Sequence, residues 1–145
     1  MTEGRVALIT AGAAGIGLAI ANKLSSQGIT VITADKDTNA LKSMTLENPD
    51  LNPILTDVSQ AVEVERMFQE IRSKYKGLDI LINNVGISGP TLAVEDIDIE
   101  SWNETLKVNL DSAFYVTRLA TPMLKERQGL IINIASTAGL FGCPQ

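Results

Sequence analysis

The stretch Thr10-Ala11-Gly12-Ala13-Ala14-Gly15-Ile16-Gly17 decides how the rest of the chain is read. The apolar run Val6-Ala7-Leu8-Ile9 precedes it, and a helical pattern over residues 15–27 follows. A small-residue turn between a strand and a helix lets backbone approach a pyrophosphate closely. The free N–H groups at the start of the helix then face the anion. Thr10, Gly12, Ala14, Gly15, Ile16 and Gly17 are therefore candidate cofactor contacts, with Gly17 also allowing the helix to pack tightly on the first strand. A tight turn with no ligand has a similar sequence, so the motif needs its context.

Outward from the turn the chain alternates strand and helix. Residues 5–10 read as a buried strand. The helix over 15–27 places Ile16, Ile20 and Leu24 on one face, and Gly28 ends it. Residues 30–34 form a second, β-branched strand, 38–46 a helix closed by Asn48-Pro49, and 53–56 a short third strand. Ser59 is the expected N-cap of a helix through Tyr75, with Glu63 and Glu65 in its first turns and Val64, Phe68, Ile71 and Tyr75 on one face. Residues 79–83 are a fourth strand and 86–98 mostly loop. A long helix is expected over 100–127, where Pro122 kinks it or marks its last turn. Residues 129–135 are a fifth strand. This order predicts an α/β fold: a Rossmann-type, doubly wound parallel sheet in three αβα layers, its near-continuous apolar strands buried on both sides. With no linker or repeat, the 145 residues are read as one dinucleotide-binding domain, incomplete at its C-terminus.

Composition narrows the partners. Apolar residues make up 45% of the chain, enough for a core, and the net charge of −5 comes with no basic run. That argues against nucleic acid or an anionic membrane. No apolar stretch is long enough to span a bilayer, and the polar start is unlike a signal peptide. With Cys143 alone there is no disulfide framework. A cytoplasmic protein fits. The chain has no histidine, which removes Ser-His-Asp triads, His-based acid–base chemistry and most zinc catalysis, so no metal site is expected.

Asp35 closes the second strand, 18 positions past Gly17. An acid about 20 residues on is where a dinucleotide fold hydrogen-bonds the adenosine ribose 2′-hydroxyl, and its charge repels a 2′-phosphate. Ala14 places no base beside the turn, although Lys36 follows Asp35 directly. NAD is expected over NADP. An ordinary solvated acid is the plain alternative for Asp35.

Four further segments stand out: Asp57-Val58, Asn83-Asn84-Val85-Gly86, Val108-Asn109-Leu110 and the run Asn133-Ile134-Ala135-Ser136-Thr137-Ala138-Gly139. With the glycine turn, they make the chain resemble the short-chain dehydrogenase/reductase family along its whole length, in order. The family turn is Thr-Gly-x-x-x-Gly-x-Gly, and Ala11 occupies its first glycine slot. Val85 stands where the family has alanine. The resemblance implies that Asp57 and Val58 meet the adenine edge and that Asn84 and Gly86 lie near the cofactor. It implies that Asn109 holds a water of a proton relay and that Ser136 is the catalytic serine, steadying an oxyanion. Independently, an Asn in an apolar helix stretch is costly unless its amide is bonded, and open α/β sheets bind ligands at the C-terminal ends of their strands, where Ser136 falls.

The resemblance also implies a Tyr-x-x-x-Lys pair that lowers the tyrosine pKa for proton transfer. Tyr75 is followed four residues on by Asp79 and Tyr115 by Leu119, so neither forms it. The expectation is thus part of a longer polypeptide, with a natural short form as the other possibility. If the chain ended at Gln145, the fifth strand would lie at a sheet edge. The expected function of the full-length protein is hydride transfer between NAD(P) and a secondary alcohol or carbonyl. A non-catalytic dinucleotide-binding module, or truncated pseudo-enzyme, is the alternative, and a non-redox relative such as an epimerase or dehydratase is a third. The resemblance further implies a homo-dimer or tetramer through the long helix, whose apolar arc includes Trp102, Leu106, Leu110 and Phe114. Ser88 to Val94 is a candidate substrate wall, but it names no substrate.

Overall fold

The computed structural model describes residues 4–139, so Cys143 lies outside the described residues. The elements alternate as the pattern predicts: β1 Val6–Thr10, α1 Gly15–Ser25, β2 Thr30–Asp35, α2 Thr38–Glu47, β3 Asn52–Leu55, α3 Ala61–Lys74 and β4 Ile80–Asn83. Then come α4 Ile99–Leu106, a π-helical turn Lys107–Asp111, α5 Ser112–Arg127 and β5 Leu130–Asn133. Short 3-10 turns cover Val94–Asp96 and Thr137–Gly139. The five strands form one parallel sheet in the order β3-β2-β1-β4-β5. The order reverses between β1 and β4, and that switch point opens a crevice at the C-terminal ends of the two strands.

Strand alternation builds the layers. Val6 and Leu8 of β1 join a core with Val64, Phe68 and Ile71 of α3 and Val116 and Ala120 of α5. Ala7 and Ile9, pointing the other way, join a second core with Ala21 of α1 and Leu41 and Met44 of α2. Helices therefore cover both faces, and β1, β2 and β4 are largely buried as expected.

Local differences have physical causes. In α1 the buried stripe is Gly17 and Ala21, and Ile16 is 64% exposed. Small residues bring the helix axis close to the sheet and rotate Ile16 towards the crevice. The cap of α3 is Gln60, without a side-chain bond. Ser59 instead donates its hydroxyl and its N–H to Asp57 Oδ1. Pro122 lies inside α5, well before its end, and the helix closes on Gln128 in the left-handed region. The end of α1 follows expectation: Gly28 has φ +76 and Ile29 N–H donates to Leu24 O. β5 departs from burial on both sides. It pairs with β4 alone, and all four of its residues are exposed; β3, which pairs with β2 alone, departs as well, with half-buried and exposed residues alternating.

Candidate cofactor and catalytic site

The glycine turn sits at the switch point. Ala11 has φ +49 and Gly15 φ +53, so two of its positions are left-handed. A β-carbon on Gly12 would lie 2.9 Å from the Thr33 side chain. One on Gly17 would lie 2.1 Å from Ala11 O and 2.7 Å from Asn84 Nδ2. Gly12 and Gly17 are thus required by close approach, whereas Gly15 faces open space and is favoured by its left-handed backbone angle. No side chain caps α1, whose N-cap is Ala14. Its first N–H groups are left for water or an anion.

Side chains distant in sequence hold this turn. Asn84 Nδ2 donates to Thr10 O and Ala11 O, both at 3.1 Å. Thr10 is buried, and its hydroxyl oxygen accepts from Asn84 N–H (3.0 Å) and Val85 N–H (3.3 Å). On the other side Asp35 Oδ2 accepts from Ala13 N–H at 3.2 Å, and its Oδ1 accepts from Asp37 N–H at 3.0 Å. Asp57 lies one strand further out. Its backbone N–H donates to Glu63 Oε2 at 2.8 Å, which fixes the loop carrying Asp57 and the buried Val58.

Two cavities meet beside the turn. The smaller, about 140 Å3, is lined by Ala11, Asp35, Lys36, Asp57, Val58 and Val85, among others. The larger and more open, about 800 Å3, is lined in part by Ile16, Asn84, Gly86, Asn109, Phe114 and Ser136. Val85, Gly86 and Ile87 belong to both walls. The two cavities are neighbours with a shared wall: one carries Asp35, Asp57 and Val58 past β2 and β3, the other Asn84, Asn109 and Ser136 past β4 and β5, and Thr10, Ala11 and Ile16 of the glycine turn line one or the other.

In the wall of the larger cavity Asn109 sits in the π-helical turn. Its Oδ1 accepts from Ile87 N–H and its Nδ2 donates to Ile87 O, both at 2.8 Å. The amide is satisfied as expected, by a two-bond clamp on the loop after β4. Ser136 Oγ accepts from Ala138 N–H at 3.2 Å. That bond uses a lone pair and leaves the hydroxyl proton to donate elsewhere. Sequence reasoning missed the network behind these two groups. Asn83 Nδ2 donates to Asn133 Oδ1 at 2.8 Å and to Thr117 Oγ1 at 3.0 Å, tying β4, β5 and α5 together. The signal was available: Asn83 and Asn133 are polar residues at the same register position on adjacent apolar strands. Among the described residues no group of three or more His, Cys, Asp or Glu is placed to hold a metal, and no helix is long and apolar enough to cross a membrane.

The fold is of the Rossmann-type, doubly wound class, and comparison with known proteins makes the assignment specific. The short chain dehydrogenase family model matches residues 5–145, and the chain belongs to that family. It is 39% identical over 150 aligned residues to a D-beta-hydroxybutyrate dehydrogenase of Cupriavidus necator, covering 100% of this chain and 58% of that protein. It is 35% identical to a 3-oxoacyl-acyl-carrier-protein reductase of Thermotoga maritima, covering 98% and 59%. A crystal structure of actinorhodin polyketide ketoreductase with NADPH superposes with a TM-score of 0.91 at 30% identity, covering 99% of this chain and 57% of that one. The chain thus spans under two thirds of the length of these relatives.

Proposed function

We propose that the whole protein is an NAD(H)-dependent oxidoreductase that interconverts a secondary alcohol and its carbonyl, and that these residues supply its dinucleotide cleft with a serine and an asparagine of its catalytic end. The observation that carries this reading is the pair of adjacent cavities sharing Val85, Gly86 and Ile87, with Asp35 in the wall of one and Ser136 in the wall of the other.

The residues fit a dinucleotide. The uncapped start of α1 and the small side chains of Gly12, Ala14, Gly15 and Gly17 would take the pyrophosphate, with Ile16 over the crevice. Asp35 would accept the adenosine ribose hydroxyls. Asp57 and Val58, in the wall of the smaller cavity, would border the adenine, and Asn84 and Gly86, in the wall of the larger, would lie nearer the nicotinamide end. When bound, the nicotinamide supplies the hydride acceptor or donor. Ser136 would hydrogen-bond the substrate oxygen and stabilise charge developing there. Asn109 would support it by holding Ile87 in the wall between the cavities. Because neither tyrosine is part of Tyr-x-x-x-Lys, the proton carrier in this reading lies outside these 145 residues. Trp102 and Leu106 of α4, Leu110 of the π-helical turn and Phe114 of α5 are exposed, and we propose that a second copy covers them.

NAD is proposed over NADP because the Asp35 carboxylate would oppose a 2′-phosphate, although Lys36 shares the cavity and one relative was crystallised with NADPH. Titration with NADH and NADPH tests this. We expect NADH to bind at least about tenfold more tightly, the order of one unfavourable charge contact. Equal affinities refute the NAD assignment, and no binding of either refutes the dinucleotide reading. In the protein expressed from its complete coding sequence, Ser136→Ala is expected to lower turnover of a hydroxy-acid or alcohol panel by about 10²–10³-fold with NADH affinity unchanged.

A further inference from the structure

We propose that Asp35 is a positioning residue for the glycine turn, holding its backbone in the anion-binding shape independently of any contact with ribose. The proposal rests on the dinucleotide reading but concerns a different job for the same carboxylate.

The argument begins with sheet register. Thr10 of β1 lies beside Ala34 of β2. Past Thr10 the chain leaves the sheet, yet two successive N–H groups of the turn still find acceptors at the end of β2. Gly12 N–H donates to Ala34 O at 3.3 Å, and Ala13 N–H donates to Asp35 Oδ2 at 3.2 Å. The carboxylate stands in for the next backbone acceptor, continuing the pairing where the β2 main chain has turned away. Asp35 is itself anchored, because Oδ1 accepts from Asp37 N–H at 3.0 Å, so it does not have to be ordered by a ligand.

The position of the bond matters. Ala13 lies between the left-handed residues Ala11 and Gly15. Asn84 fixes the carbonyl oxygens of Thr10 and Ala11 from the opposite side. Between these clamps and the start of α1, the Asp35 contact is the side-chain hydrogen bond made to the middle of the turn. A hydrogen bond to an ionised acceptor is about twice as strong as a neutral one. Each carboxylate oxygen here accepts one N–H and keeps a further lone pair, so holding the turn does not prevent Asp35 from accepting ribose hydroxyls. Removing the carboxylate would then weaken phosphate binding even for a ligand with no hydroxyl to offer.

The test uses ADP and 2′,3′-dideoxy-ADP as probes, with calorimetric titration of the protein expressed from its complete coding sequence, unaltered and as Asp35→Asn and Asp35→Ala. If Asp35 acts only through ribose, the dideoxy compound binds all three equally. The expected result is a graded loss on the dideoxy compound, about threefold for Asn and about tenfold for Ala, the order of weakening and then losing one charge-assisted bond. Hydrogen exchange at the Ala13 amide in the ligand-free protein provides a readout that needs no nucleotide. It should quicken at least about tenfold in Asp35→Ala, while amides in the middle of β1 are unchanged. Equal dideoxy-ADP affinity in the variants, or an unchanged Ala13 amide, overturns the proposal. Should Asp35→Ala fail to fold, the nearly isosteric Asp35→Asn carries the same comparison. If the unaltered protein binds neither probe, the dinucleotide reading fails and the exchange measurement alone decides the role of Asp35.

Discussion

Gly17→Ala sets helix propensity against close packing, and the structure decides the sign. Gly17 is in the first turn of α1, where alanine is favoured over glycine by up to about 1 kcal/mol. Against this, the new β-carbon would lie 2.1 Å from Ala11 O and 2.7 Å from Asn84 Nδ2. Neither neighbour can yield without loss. Ala11 O is a backbone atom in a left-handed residue, and the Asn84 amide is bonded to both Thr10 O and Ala11 O. Losing those two bonds costs about 1 kcal/mol each, and overpacking a tight contact adds about 1–3 kcal/mol. Subtracting the propensity gain leaves a net destabilisation of roughly 2–4 kcal/mol. For a chain of this size that lowers the melting temperature by about 8–16 °C, at roughly 4 °C per kcal/mol. Thermal and urea unfolding followed by circular dichroism measure it directly. A melting temperature equal to or above that of the unaltered chain would mean that propensity outweighs the clash, and the close-approach argument would be wrong. If the turn holds the phosphates as proposed, nucleotide affinity should fall in parallel.

Three smaller perturbations probe the same region. Ala11→Gly relieves a left-handed alanine, worth about 1–2 kcal/mol, at an entropic cost of about 0.5–1 kcal/mol, so the urea midpoint should rise by the equivalent of roughly 0.5–1 kcal/mol with unchanged m; a lower midpoint refutes the strain. Asn109→Asp replaces the donor to Ile87 O with a second oxygen, which breaks one bond of the clamp; the Ile87 amide should exchange faster and stability should fall by about 1 kcal/mol, whereas an unchanged amide would show that the clamp is dispensable. Asp98, the N-cap of α4, has its carboxyl held below the ordinary 3.8, first by the Ser101 N–H and then by the Ser101 hydroxyl. A lowered folded-state pKa means stability that is present above the unfolded value and lost as pH falls through the folded one. The start of α4 should therefore loosen only in acid below about pH 3.8, and Asp98→Asn should abolish that pH dependence in the Ser101 amide signal.

What could be read in the sequence was whatever depends on neighbours along the chain. The apolar runs of β1, β2 and β4 are visible because strands buried on both faces need no polar alternation. Gly28 is visible because a helix end needs its left-handed angle. The misses arise where a distant partner overrides local preference. Ile16 belongs on the inner face by helical period, but the close seat of Gly17 and Ala21 against the sheet turns it outward. Ser59 is a good local cap, yet its hydroxyl goes to Asp57. The π-helical turn around Asn109 has no local signature, because the clamp it accompanies reaches Ile87, 22 positions earlier. The Asn83 to Asn133 bond spans 50 positions and exists only once β4 and β5 are in register. The candidate site residues stand out in the sequence as a pattern; the wall of Val85, Gly86 and Ile87 shared by the two cavities does not, since it follows from the sheet order.

The alanine in the first glycine slot shows how the pattern can be departed from while its geometry is kept. Ala11 occupies the left-handed conformation that glycine would adopt without cost, so the turn carries a strain of about 1–2 kcal/mol. Its carbonyl accepts from Asn84 Nδ2, the next residue's N–H donates to Ala34 O, and the one after that donates to Asp35 Oδ2. Three bonds at about 1 kcal/mol each are enough to offset the strain. The turn therefore holds its shape through residues on β2 and after β4, while Gly12 and Gly17 serve to avoid collisions. On this account a substitution at Asn84 or Asp35 should damage phosphate binding more in this chain than in a relative with glycine at position 11, because here the clamps also restrain a strained residue.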